Sequence, residues 1–120
     1  MFTNLLVEVT GVNCIYEGAS GMAAMLEGMI AVAKSDHLKK FKFIIHDLSR
    51  VTQFKHDDYA LVMTAAQMEA CIYTNPSIKM AIVSGDVEGD IAGQLLSEHL
   101  KRPMHVFQTP ELAMIWAKSW

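Results

Sequence analysis

The sequence predicts an α/β fold with a mainly parallel sheet, and three observations carry that prediction. Apolar runs too short for helices, at Phe43 to Ile45, Met80 to Val83 and Met104 to Phe107, alternate with longer segments whose apolar residues recur every three or four positions. Turn and capping residues stand at the changeovers. With 52% apolar and 19% charged residues in 120, the chain has the material for a packed core and is expected to form one domain over 1–120.

The first element is a strand over residues 4–9, from Asn4 through Leu5, Leu6 and Val7 to Val9. Gly11 and Asn13 supply turn chemistry, and Cys14, Ile15 and Tyr16 make a short return strand, which completes an N-terminal hairpin. Ser20 is placed to cap a helix over residues 20–34, where Met22, Met25, Leu26, Met29, Ile30 and Ala33 share a face. Phe41, Phe43, Ile44 and Ile45 then form a strand buried on both faces and ending at His46 and Asp47. A second helix spans Asp57 to Tyr73. Its two opening carboxylates suit the positive end of the helix dipole, and Leu61, Val62, Ala65, Ala66, Met68 and Ile72 are its apolar residues. Met80 to Val83 repeats the buried-strand pattern, a third helix runs from about Gly89 to Leu100, and Pro103 closes it ahead of the last strand, Met104 to Phe107. Thr109 followed by Pro110 is a cap with proline at the first helical position, so a fourth helix starts there and runs through Trp116. The total is four or five strands and about four helices, with helical crossovers between parallel strands.

The charge balance bears on function. Ten Lys and Arg against 13 Asp and Glu leave a net charge of -3, so no overall basic field invites nucleic acid. No apolar stretch approaches the roughly 20 residues needed to span a bilayer. The first dozen residues lack the continuous apolar run of a signal peptide, so the cytoplasm is the expected address and Cys14 and Cys71 are expected to stay free thiols. The histidines and cysteines show no metal-ligand spacing, and Ser84 to Asp90 carries three acids and lacks the Gly-Lys-Ser/Thr ending of a phosphate loop. No metal or other cofactor is expected. His46, Asp47 and His56 offer acid–base groups for an enzymatic reading, but no nucleophile accompanies them. Most of the nine methionines fall on core-facing positions, where packing is a plainer account than an adaptable ligand cavity.

In a parallel sheet, strand ends and the helix starts that follow them share one edge. Asp47, Asp57, Asp58, Asp86, Glu88, Asp90 and Glu111 fall on that carboxyl edge with only Arg50 and Lys55, whereas Lys34, Lys39, Lys40, Lys42, Lys79, Lys101, Arg102 and Lys118 fall on the opposite one. Helix-dipole complementation accounts for this sorting, and the carboxyl edge is also where open sheets bind ligands. Asp47, Asp57, Asp86 and Glu88 are expected to converge there, repelling one another or holding a hard cation weakly. The oppositely charged edges can meet, and Ile115, Trp116 and Trp120 give the last helix more apolar surface than one helix hides, which predicts self-association into a dimer or higher homo-oligomer.

The stretch Phe43 to Val62, FIIHDLSRVTQFKHDDYALV, resembles the central motif of the STAS family of anti-sigma-factor antagonists, in which a buried strand leads into Asp-Leu-Ser-x-Val-Thr and then a helix. Asp47, Leu48, Ser49, Val51 and Thr52 match it. The segments AIVSGD and HVFQTPELAMIWA, between Met80 and Ala117, look like the SpoIIAA-like group, which is described as related to both STAS and CRAL-TRIO lipid-binding domains. The resemblance implies a SpoIIAA-like fold and a non-catalytic regulatory or protein-interaction module. Its partner or ligand surface would take in Asp47, Ser49, Arg50, His56, Asp57, Asp58, Asp86 and Glu88. The CRAL-TRIO kinship implies the alternative, a carrier or sensor of a small apolar or lipid-like ligand. In the phosphorylation-switched members Asp-Ser-Ser-Gly opens the helix, and the first serine accepts the phosphate. Here the run is Lys55, His56, Asp57 and Asp58, with His56 at the acceptor position, so the serine switch is expected to be missing.

Overall fold

The computed structural model describes residues 2–7, 11–100, 102 and 104–119. Five strands form one sheet in sequential order: β1 (Phe2–Val7), β2 (Gly11–Gly21), β3 (Phe43–Lys55), β4 (Lys79–Val83) and β5 (His105–Phe107). β1 is antiparallel to β2, and β2 to β5 run parallel. Helices α1 (Met22–Ala33), α2 (Asp58–Thr74) and α3 (Val87–Leu100) make the crossovers, and α4 (Pro110–Ala117) follows β5. The expected α/β architecture, with its parallel sheet and four helices, is present.

Alternation along the strands divides the core in two. Cys14, Tyr16, Ile44, Met80 and Ile82 face one side and pack with Met25, Met29, Met68 and Leu96 from α1, α2 and α3. Phe43, Ile45, Ala81 and Val83 face the other side and meet Ala113 and Ala117 of α4. Met22, Met25, Met29 and Met68 are fully buried, so these methionines are packing residues. Beneath the sheet, a single 3-10 turn at Leu38–Lys40 leads to Phe41, which is buried but precedes β3 rather than opening it. The buried Asn75 amide pins this turn by donating to the Leu38 and Phe41 carbonyls, at 3.1 and 2.6 Å.

Three local expectations are corrected. The N-terminal hairpin forms, but Gly11 and Asn13 belong to β2 and not to its turn: Asn13 pairs with Leu6 and Val12 with Val7. Glu8 and Val9, expected to continue the first strand, lie outside the described residues. Ser20 does not cap α1, because β2 runs on to Gly21 and takes the serine with it, side chain buried. Gly21 holds the cap position instead, where a Cβ would stand 2.0 Å from the Lys55 carbonyl oxygen. Finally, β3 does not stop at Asp47. Its 13 residues reach Lys55 because β2 stays beside it and satisfies its backbone groups, even where the side chains turn polar.

The extension shapes the carboxyl edge. β4 ends at Val83, opposite Asp47, so past that level β3 has β2 as its one partner and the two run on as a ribbon. Between the pairs Ile15–Asp47 and Gly21–Lys55, β3 uses two residues more than β2. Such bulges bend and twist a ribbon, and Gly18, with φ of 69°, takes the left-handed conformation at one of them. A straight run from Asp47 to His56 would reach roughly 30 Å. His56 nevertheless touches Glu88, which lies just past β4 in the first turn of α3. The ribbon therefore folds back over the carboxyl edge.

Candidate interaction site

The edge is built from helix starts. Asp57 caps α2 by accepting from the Ala60 N–H at 3.0 Å. Asp86 does the same for α3, accepting from the Gly89 N–H at 3.1 Å and the Ser84 hydroxyl at 3.2 Å. Thr109 caps α4 through the Leu112 N–H, as its sequence position predicts. Between the first two starts, the His56 imidazole bonds directly to the Glu88 carboxylate. On the ribbon, Arg50 Nη1 donates to Glu17 Oε1 at 3.2 Å, and Asp47 Oδ1 accepts from the Ser49 N–H at 2.9 Å.

His56, Asp57, Asp58, Asp86 and Glu88 thus come together at the starts of α2 and α3, while Asp47, Ser49 and Arg50 stay on the ribbon. Of the four carboxylates expected to converge, Asp57, Asp86 and Glu88 lie at these neighbouring helix starts, and Asp47 does not join them. Among the described residues, no three His, Cys, Asp or Glu side chains stand close enough to hold a metal ion. Three of these carboxylates serve backbone groups of their own loops or helices, and the long ribbon carries Asp57 away from Asp47.

The acid–base grouping of His46, Asp47 and His56 is not assembled either. His46 is fully buried, its Nδ1 bonded to the Tyr16 hydroxyl at 2.8 Å, and burial pushes its pKa down to about 4. Asp47, as the next strand residue, points to the opposite face, and His56 is exposed at the ribbon's end. Burial also pushes the free thiols up, Cys14 to about 12 and Cys71 to about 11, so neither is a ready nucleophile.

The outer face of α2 carries a second apolar stripe that the sequence pattern does not separate from the first. Val62 and Ala66, two of the apolar residues of this helix, are exposed. Tyr59, Val62, Ala66, Ala70 and Tyr73 recur at helical spacing and form an outward stripe, with Tyr59 73%, Val62 50% and Tyr73 89% exposed. The inner stripe, Leu61, Ala65, Met68 and Cys71, covers the sheet. α2 is therefore apolar on two faces, and one packed face is all that a surface helix requires. Val87 and Ile91, at the start of the adjacent α3, are exposed as well. Both stripes are visible as three-and-four spacing in the sequence, but periodicity does not say which one meets the sheet. On α4, Trp116 turns inward onto His105 and Phe107, with ring centroids 4.6 and 5.4 Å away, so the exposed apolar residues of that helix are Leu112 and Ile115. Trp120 lies outside the described residues.

No protein-family model matches the sequence, and no curated protein matches it. The fold does match a solved structure, that of the anti-sigma factor antagonist SpoIIAA in its unphosphorylated form. The TM-score is 0.67 over 98% of each chain, at 13% identity. The chain therefore has the SpoIIAA-like fold that the stretch Phe43 to Val62 implied. No helix among the described residues is long and apolar enough to cross a membrane.

Proposed function

We propose that this protein, on its SpoIIAA-like fold, is a non-catalytic protein-interaction module of the STAS type. Its partner lies along the outer face of α2 and around the helix starts tied together by His56 and Glu88. One observation carries this reading: the stripe from Tyr59 to Tyr73 leaves large apolar side chains in water on a helix whose other face already packs the core, and uncovered apolar patches mark contact sites. The acidic rim of Asp58, Asp86 and Asp90 favours a partner with basic residues around an apolar strip. The partner is a different protein or, with Leu112 and Ile115 of α4 also uncovered, a second copy of this chain.

The module works in the cytoplasm without a serine switch at this junction. Residues 53–58 carry no hydroxyl, and Asp57 already gives the start of α2 the anionic acceptor that a phosphate would supply. A further phosphate there would meet Asp57, Asp58 and Glu88.

A photo-crosslinking residue placed at position 59, 62 or 73 in the source cells tests the surface, with position 118 as control. Crosslinks to one protein from the three helix positions, absent from the control and abolished by Val62→Glu without a lower melting temperature, are expected. The mass of the crosslinked product distinguishes a second copy from a different partner. If no position on α2 yields a specific product, or if Val62→Glu leaves the product intact, the proposed surface is wrong.

A further inference from the structure

At the far end of the sheet, β4 starts two residues ahead of its neighbour: the first β5 pair is His105 with Ala81, so the flank of Lys79 and Met80 is open. A cavity of about 310 Å³ lies there, between the end of α3 and the end of α4. Its wall is apolar, made by Ile72, Leu100, Met80 and Met104, with the Trp116 indole closing one side. Methionines on two sides let such a wall adapt to the shape of what enters.

Among the described residues, Lys79, Arg102 and His105 are the polar side chains that line this cavity besides the Trp116 indole, and no Asp or Glu lines it. Lys79 is held in place, since its ammonium donates to the Trp116 and Ser119 carbonyls at 2.9 and 2.8 Å and sits 5.0 Å from the centre of the Trp116 ring. Arg102 is exposed and lines the same cavity, and a guanidinium is the side-chain group best suited to a carboxylate. An apolar chamber with a cationic mouth matches a ligand with an apolar body and one anionic end. The volume holds about ten non-hydrogen atoms at roughly 30 Å³ each. One guanidinium beside a lysine whose donors are largely used suits a singly charged head.

From this we infer that the cavity is a binding site for a small amphiphilic monocarboxylate, its chain among Met80, Met104, Leu100 and Ile72 and its carboxylate toward Arg102 and Lys79. The site shares no residue with the α2 surface, and its test is independent of that reading. The chain has two tryptophans, so Trp120→Phe leaves Trp116, in the cavity wall, as the sole indole reporter. Octanoate, with ten non-hydrogen atoms, is titrated below its micelle-forming concentration. A saturable change in Trp116 emission is expected, with binding at least tenfold weaker for octanol and none for octylammonium. Arg102→Gln should weaken octanoate at least tenfold without lowering the melting temperature, while Arg50→Gln, at the other edge, should leave affinity unchanged. The inference is overturned if octanoate gives no saturable change, if octanol or octylammonium binds equally well, or if Arg102→Gln binds like the parent.

Discussion

Two regions of the same strand obey different rules. From Phe43 to His46 every side chain of β3 is buried, with β2 and β4 alongside and helices on both faces. From Ser49 to Lys55 the ladder continues with β2 alone, and no side chain is buried. Backbone hydrogen bonding holds both halves extended, but only the inner half removes apolar surface from water. The strand is thus structural at one end, while the other end carries side chains and the start of α2 to the surface.

The sharpest way to break that comparison is to truncate one residue in each half. Phe43→Ala should lower the unfolding free energy by about 3–5 kcal/mol, whereas Gln53→Ala should stay within about 0.5 kcal/mol. Urea denaturation of the two variants measures both, and equal losses would erase the distinction between the halves.

A second difference is sensitivity to acid. His46 in the inner half is neutral when folded, with its pKa pushed down to about 4 by burial, against about 6.5 in the unfolded chain. The unfolded state binds the proton first, so this contribution to stability is fully present above about pH 6.5 and is lost as pH falls through 4. Between about pH 7 and pH 5 the loss should be about 2 kcal/mol, on the order set by that shift. A paired Tyr16→Phe, His46→Leu variant removes the titrating group and its hydrogen-bond partner together, and its denaturation midpoint should vary less over that interval. An unchanged slope would clear His46 as the cause.

The smallest effect lies in the outer half. Gly18 has open space around it but a φ of 69°, so Gly18→Ala should cost about 1 kcal/mol through backbone strain alone. Gly85 has open space without that conformation, and Gly85→Ala should stay within about 0.5 kcal/mol. Paired thermal melts decide, and equal shifts would show that the bulge does not require glycine.

The elements that sequence reading located well are those set by near neighbours. Asp57 and Thr109 cap the helices they were expected to begin, because a cap bonds a backbone N–H three residues on. The inner part of β3 was legible for a similar reason: a run such as Phe43 to Ile45 has to be buried whatever covers it. Ser20 misled because a small hydroxyl residue ahead of an apolar helix looks the same in the last turn of a strand. The outer part of β3 was hidden because Ser49, Arg50, Gln53 and Lys55 carry no strand pattern, and what keeps them extended is β2, some 30 residues earlier in the chain.

By itself, then, the sequence determined the order of strands and helices, the caps, the acidic and basic edges and the resemblance in Phe43 to Val62, since each depends on residue types a few positions apart. Only the tertiary structure decided which stripe of α2 meets the sheet, how far the ribbon runs and where it bends. It alone brought His56 to Glu88, 32 residues away, and opened the cavity between Met80 and Met104. Those outcomes depend on which surfaces compete for the same core and on backbone partners distant in the chain, and local patterning carries no information about either.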